Sequence, residues 1–135
     1  IRDGDIAGAL APAIDDSGID ILIGIGGAPE GVIAAVALKC LGGEIQGRLK
    51  FRNEEEKARA KKMGMKDIHQ KLMMNDLVRS NEAMFAATGV TDGTILRGVS
   101  FQSHGAKTHS IVMRAKTKTI RFIEAQHHFD HFPEY

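Results

Sequence analysis

Ile19-Asp20-Ile21-Leu22-Ile23-Gly24-Ile25-Gly26-Gly27-Ala28-Pro29-Glu30-Gly31 is the stretch on which the reading of this chain turns. Residues 19–25 form a short apolar run rich in β-branched side chains, the pattern of a strand buried on both faces, and they predict a central strand of a sheet. The run breaks into glycines. Pro29 then stands where a first helical turn tolerates its missing N–H and fixed φ, so a helix is predicted over residues 29–41. Its body, residues 32–38, is apolar nearly all round, which predicts burial, and Gly42-Gly43 supplies a left-handed stop. At such a strand–loop–helix junction, free backbone N–H groups and the positive end of the helix dipole converge on an anion.

Working outward, Asp3-Gly4-Asp5 reads as a turn in which Asp5 caps a short apolar helix over residues 6–11, limited by Pro12. On the other side, alternation over residues 44–51 predicts a strand. Asn53 caps a helix over residues 54–62 whose acidic start and basic end complement its dipole, a solvated face ended by Gly64. Ile68, Leu72, Leu77 and Val78 suggest one or two short helices before a strand over residues 83–88. Beyond Gly98 the pattern changes to strands over residues 99–102, 108–114 and 119–126, joined by turns at 103–105 and 115–118 and therefore antiparallel. Helices alternating with strands, then a meander, predict an α/β architecture: a mixed sheet with helices packed on it in layers.

The 135 residues suffice for one hydrophobic core. Lys plus Arg number 18 against 17 Asp plus Glu, and a net charge of +1 gives no electrostatic reason to expect nucleic acid as a partner. The longest apolar run, residues 32–38, is far short of the roughly 20 residues of a membrane span, and no signal sequence opens the chain, so a cytoplasmic protein is expected, with no membrane partner. Cys40 lies in an apolar context and reads as a core residue rather than a reactive thiol. The chain starts on Ile and opens at once on a polar turn, which reads as an interrupted protein.

The glycine loop favours a phosphorylated ligand. A dinucleotide fingerprint fails because its third glycine falls on Pro29, and a P-loop fails for want of Gly-Lys-Ser/Thr, which sets aside a nucleotide-dependent oxidoreductase. Glu30 admits two readings: a first-turn carboxylate repels a bare phosphate unless a cation lies between them, or it simply complements the dipole. Asp3 and Asp5 either accept sugar hydroxyls at the carboxyl edge of a strand or form an ordinary turn and cap. Thr91-Asp92-Gly93-Thr94 invites comparison with the Asp-Gly-Thr metal motif of lithium-sensitive phosphatases, but Val90 stands where a second acidic residue belongs, and a β-turn is expected. His127, His128 and His131 lack partners at ligand spacing and read as surface residues, and His104 and His109 sit in no nucleophile pattern.

Asp3-Gly4-Asp5-Ile6-Ala7-Gly8-Ala9, Gly24-Ile25-Gly26-Gly27-Ala28-Pro29-Glu30-Gly31-Val32 and Cys40-Leu41-Gly42-Gly43 together resemble class II fructose-1,6-bisphosphatase of the GlpX type. Ala87-Thr88-Gly89-Val90-Thr91-Asp92-Gly93 and Thr108-His109-Ser110-Ile111-Val112-Met113-Arg114 extend the resemblance over essentially the whole chain. It implies a layered sugar-phosphatase fold. It also implies hydrolysis of the 1-phosphate of fructose 1,6-bisphosphate, in some members of sedoheptulose 1,7-bisphosphate, with magnesium or manganese as cofactor, in gluconeogenesis. By the same resemblance, Asp3, Gly4, Asp5 and Gly27 belong to the sugar-phosphate site and Glu30 is a ligand of the catalytic cation. The family's other acidic ligands, in an Asp-Pro-x-Asp/Glu-Gly-Thr type motif, belong to an N-terminal half that this sequence lacks. The expectation is therefore a single C-terminal α/β domain, residues 1–135, partnered by that half within a homo-oligomeric enzyme and without a complete catalytic set of its own. The alternative is an inactive sugar-phosphate-binding or assembly fragment.

Overall fold

The computed structural model describes residues 5–129. The first helix, α1 (Asp5–Leu10), ends in a 3-10 turn, Ala11–Ala13, that contains Pro12. The long helix α2 (Ala28–Leu41) starts from Gly27 in an extended conformation and stops at Gly42, whose φ of 87° is left-handed, with the Gly42 and Gly43 amides both bonded to the Leu38 carbonyl. Glycine at position 42 is what lets the chain turn there. Next comes α3 (Glu54–Lys62), capped by the Asn53 side chain, which accepts from the Glu56 amide at 2.9 Å. The short α4 (Met74–Leu77) has its Asp76 carboxylate turned back onto the Met73 amide at 2.8 Å.

Two sheets result, both antiparallel among the described residues. The small one joins β1 (Gln46–Gly47) to β2 (Leu72–Met73). The larger is built on β5 (Gly105–Arg114). One edge pairs along its whole length with β6 (Thr119–His128), and the other is shared by β3 (Met84–Thr88) and β4 (Ser100–Gln102). β5 begins at Gly105, three residues before the expected start, because a side chain there would strike the His127 carbonyl of β6 and only glycine lets the strands pair from that point. Lys118, with a φ of 52°, closes the β5–β6 turn.

One face of this sheet carries Phe85, Ile111 and Met113, and on it lie Leu10 of α1 and Ala37 and Cys40 of α2. Ala35 and Leu38 on another side of α2 pack with Met74 and Val78. The layered α/β class expected from the alternation of elements is the class observed. Cys40 is fully buried, and desolvation pushes its thiol pKa up despite the nearby Lys118 charge. It is a core residue. Among the described residues, no helix is long and apolar enough to cross a membrane.

Three expectations need correction. Residues 19–25 form no strand. Their backbone from 20 to 26 makes no hydrogen bond among the described residues, and Ile21, Ile23 and Ile25 are 70%, 86% and 84% exposed. A buried strand needs a neighbour on each edge, and neither sheet reaches this segment. Of residues 44–51, only Gln46–Gly47 pair, because only two residues of β2 lie opposite them. The apolar body of α2 is not buried throughout: Val32 and Ile33 in its first turns are exposed, as that end projects beyond the sheet-covered core.

Lys39, in contrast, lies inside, 8% exposed. Its ammonium donates to the Val78 carbonyl at 2.6 Å and to Asn75 Oδ1 at 3.2 Å, and its own carbonyl accepts from Lys118 Nζ at 2.5 Å. Two cations thus satisfy acceptors around the negative end of α2.

Candidate active site

The positive end of α2 is where the sequence-marked residues gather. Helical geometry leaves the first N–H groups of α2 without intrahelical acceptors, and Pro29 removes one of them, so the Ala28 and Glu30 amides face outward while Gly31 bonds the Gly27 carbonyl at 3.0 Å. The Glu30 carboxylate folds back over Gly27: a methyl group built on Gly27 would run into Glu30 Oε2 and lie 3.0 Å from its Cδ. Gly27 itself has φ −67° and ψ 147°, values any residue adopts. Its lack of a side chain therefore serves the space around Glu30 and not the backbone.

Glu30 is exposed and makes no hydrogen bond or ion pair. A free carboxylate beside open backbone donors at a helix N-terminus is a hard oxygen ligand of the kind that suits magnesium or manganese, and it can hold a cation against an anion bound on the amides. It is one donor only. Among the described residues, no group of three His, Cys, Asp or Glu side chains stands close enough together to hold a metal ion. Asp3 and Gly4 lie outside the described residues, as does the side chain of Asp5, the first residue of α1.

The remaining acidic and histidine motifs have local partners. Asp92 Oδ1 accepts from the Gly98 amide at 2.9 Å and the Gly93 amide bonds the Leu96 carbonyl, which makes residues 92–98 a closed turn. His109 accepts from the Arg97 amide at 3.1 Å and stacks on Phe122 at 5.6 Å, while His127 meets Thr108 at 3.0 Å across β5 and β6. A shallow cavity of about 330 Å³ lies between Lys39, Gly42, Glu44, Met73, Asn75 and Lys118. It opens at the opposite end of α2, roughly 18 Å from Glu30 at 1.5 Å per helical residue. The cavity and the candidate site are separate features.

Known proteins bear on this geometry. The chain is 41% identical to the class 2 fructose-1,6-bisphosphatase of Haemophilus influenzae over 143 aligned residues, covering 96% of this chain and 43% of the relative. It is also 40% identical over 139 residues to a Synechococcus protein described as a D-fructose 1,6-bisphosphatase class 2/sedoheptulose 1,7-bisphosphatase, covering 94% of this chain and 40% of that one. The chain thus spans about two fifths of the length of these relatives. Residues 1–127 match the family model described as bacterial fructose-1,6-bisphosphatase, glpX-encoded, and the chain belongs to that family.

Proposed function

We propose that this chain is the C-terminal α/β domain of a metal-dependent sugar-bisphosphate phosphatase and supplies one part of a divided active site. The reaction is hydrolysis of the 1-phosphate of fructose 1,6-bisphosphate to fructose 6-phosphate and phosphate, the step used in gluconeogenesis, in the cytoplasm. The observation that carries this reading is the unpaired Glu30 carboxylate set against Gly27 and the open amides of α2, in a chain matched by the family over residues 1–127. Sedoheptulose 1,7-bisphosphate is a second substrate on the strength of the Synechococcus relative's description.

Glu30 would be one oxygen ligand of a magnesium or manganese ion, which when bound neutralises phosphoryl oxygens and lowers the pKa of a bound water. The α2 amides bind phosphate oxygens, and the missing Cβ of Gly27 leaves room for substrate to approach them. Asp3, Gly4 and Asp5 hold the sugar, with the two carboxylates accepting from its hydroxyls. The other acidic ligands come from the family's N-terminal half, and the complete enzyme is a homo-oligomer.

A second reading, a sugar-phosphate-binding or assembly fragment without turnover, is favoured by the single assigned carboxylate and the lack of a three-ligand cluster among the described residues. Phosphate release from fructose 1,6-bisphosphate separates the two. The first reading expects none from the chain alone and metal-dependent turnover once the N-terminal half is joined to it. The second expects none in either form.

A further inference from the structure

We propose that residues 19–25 are a sheet strand whose neighbours are β-strands of the segment that class 2 fructose-1,6-bisphosphatases carry outside the region matched here, and that their docking positions Gly27 and Glu30. The proposal rests on the functional reading above. In an extended chain alternate residues share a face, so Ile19, Ile21, Ile23 and Ile25 form one wholly apolar side, while Leu22 stands on the other with Asp20 and Gly24. Unpaired N–H and C=O groups run along both edges of the same seven-residue stretch, from 20 to 26. Exposed apolar side chains and open backbone edges together are satisfied by strand addition, whereas a ligand or a helix would leave the edges unpaired. The apolar surface continues into Val32 and Ile33 at the start of α2.

The occupant follows from two further observations. The relatives are more than twice as long as their matched regions, so they contain the chain length from which flanking strands are drawn. The segment also leads directly into Gly27, the N-cap of α2, and Glu30 in its first turn, a site with one assigned carboxylate that needs others. One partner bringing strands and carboxylates satisfies both needs. A second copy of this chain pairing about a two-fold axis covers a single edge of the segment and brings only a second Glu30.

Hydrogen exchange read by mass spectrometry tests this. The portion of the Haemophilus influenzae enzyme outside the matched region is joined to residues 1–135 in one polypeptide, and exchange at residues 20–26 is compared with that in the 135-residue chain, with β5 and β6 as internal controls. The chain alone is expected to exchange within about tenfold of an unstructured peptide at 20–26, and the joined protein about 100-fold more slowly. Fast exchange in the joined protein overturns the proposal. So does protection in the chain alone, whether constant or rising with its concentration, the latter identifying a second copy as the occupant. Ile21→Asp with Ile23→Asp should leave the melting temperature of the 135-residue chain within about 2 °C while removing protection in the joined protein. A drop of about 5 °C or more in the chain alone contradicts an unpartnered segment. Turnover is read separately: protection without hydrolysis sinks the functional reading and leaves the strand in place, and hydrolysis with fast exchange does the reverse.

Discussion

Gly27 and Glu30 are coupled through one side-chain conformation. A methyl at Gly27 displaces the Glu30 carboxylate, yet the Gly27 backbone suits alanine, and the loss of a favourable N-cap residue is offset by a less flexible unfolded chain. Gly27→Ala in the full-length enzyme should therefore lower kcat/KM by about tenfold or more while shifting stability by less than about 1 kcal/mol. Steady-state kinetics beside a denaturant titration check both halves of that statement. Lys39 makes a contrasting case. Replacing it by Met keeps the bulk but leaves the buried Val78 carbonyl without its donor, which should cost about 1–3 kcal/mol and be read as a lower denaturant midpoint. At the surface, Lys116 and Arg114 hold the Glu82 carboxyl below its ordinary value of 4.5. A lowered carboxylate pKa contributes stability above the ordinary value and loses it as pH falls through the lowered one. The stability gap between wild type and Glu82→Gln should thus be present at neutral pH and close under acid, as followed by thermal melts across that range. The candidate residues were legible from family-like motifs. Lys39 was not, because its partners Asn75 and Val78 are more than thirty residues away and nothing local marks the meeting.

Among the elements, those whose ends are written locally could be read closely. Gly27, Pro29 and Gly42 bound α2, and Asn53 opens α3 with a side chain reaching an amide three residues on. Asn53→Ala should cost about 1 kcal/mol, visible as reduced helical signal and a lower melting temperature. The β5–β6 hairpin was legible for a related reason: its strands are consecutive, and a four-residue turn brings Arg114 opposite Thr119. Residues 44–51 and 19–25 show the limit. Alternation or β-branching states that a segment can be a strand, but pairing is decided by what lies beside it, and β2 offers residues 44–51 only two partners. Gly105 misled in the opposite direction, since a glycine that reads as a turn signal there admits the backbone of β6.

For the whole molecule, the fold places its two halves of chemistry at opposite ends of α2. Two lysines neutralise its C-terminal end within the core, and its N-terminal end presents an uncommitted carboxylate and open amides beyond the sheet-covered interior. The layered α/β class was legible because helices and a meander alternate over the full chain. The completeness of the site was not, since a catalytic cation pair draws its ligands from several segments and this chain spans about two fifths of its relatives. The central claim is that these residues contribute Glu30 to a divided phosphatase site. Its most direct measurement is phosphate release from fructose 1,6-bisphosphate with manganese or magnesium, for the 135-residue chain, for the chain joined to the family's N-terminal half, and for that joined protein carrying Glu30→Gln. No release, metal-dependent release, and a loss of at least about 100-fold with the fold intact are the expected results in that order. Robust turnover by the chain alone, or unchanged turnover in the Glu30→Gln protein at saturating metal, would contradict the claim.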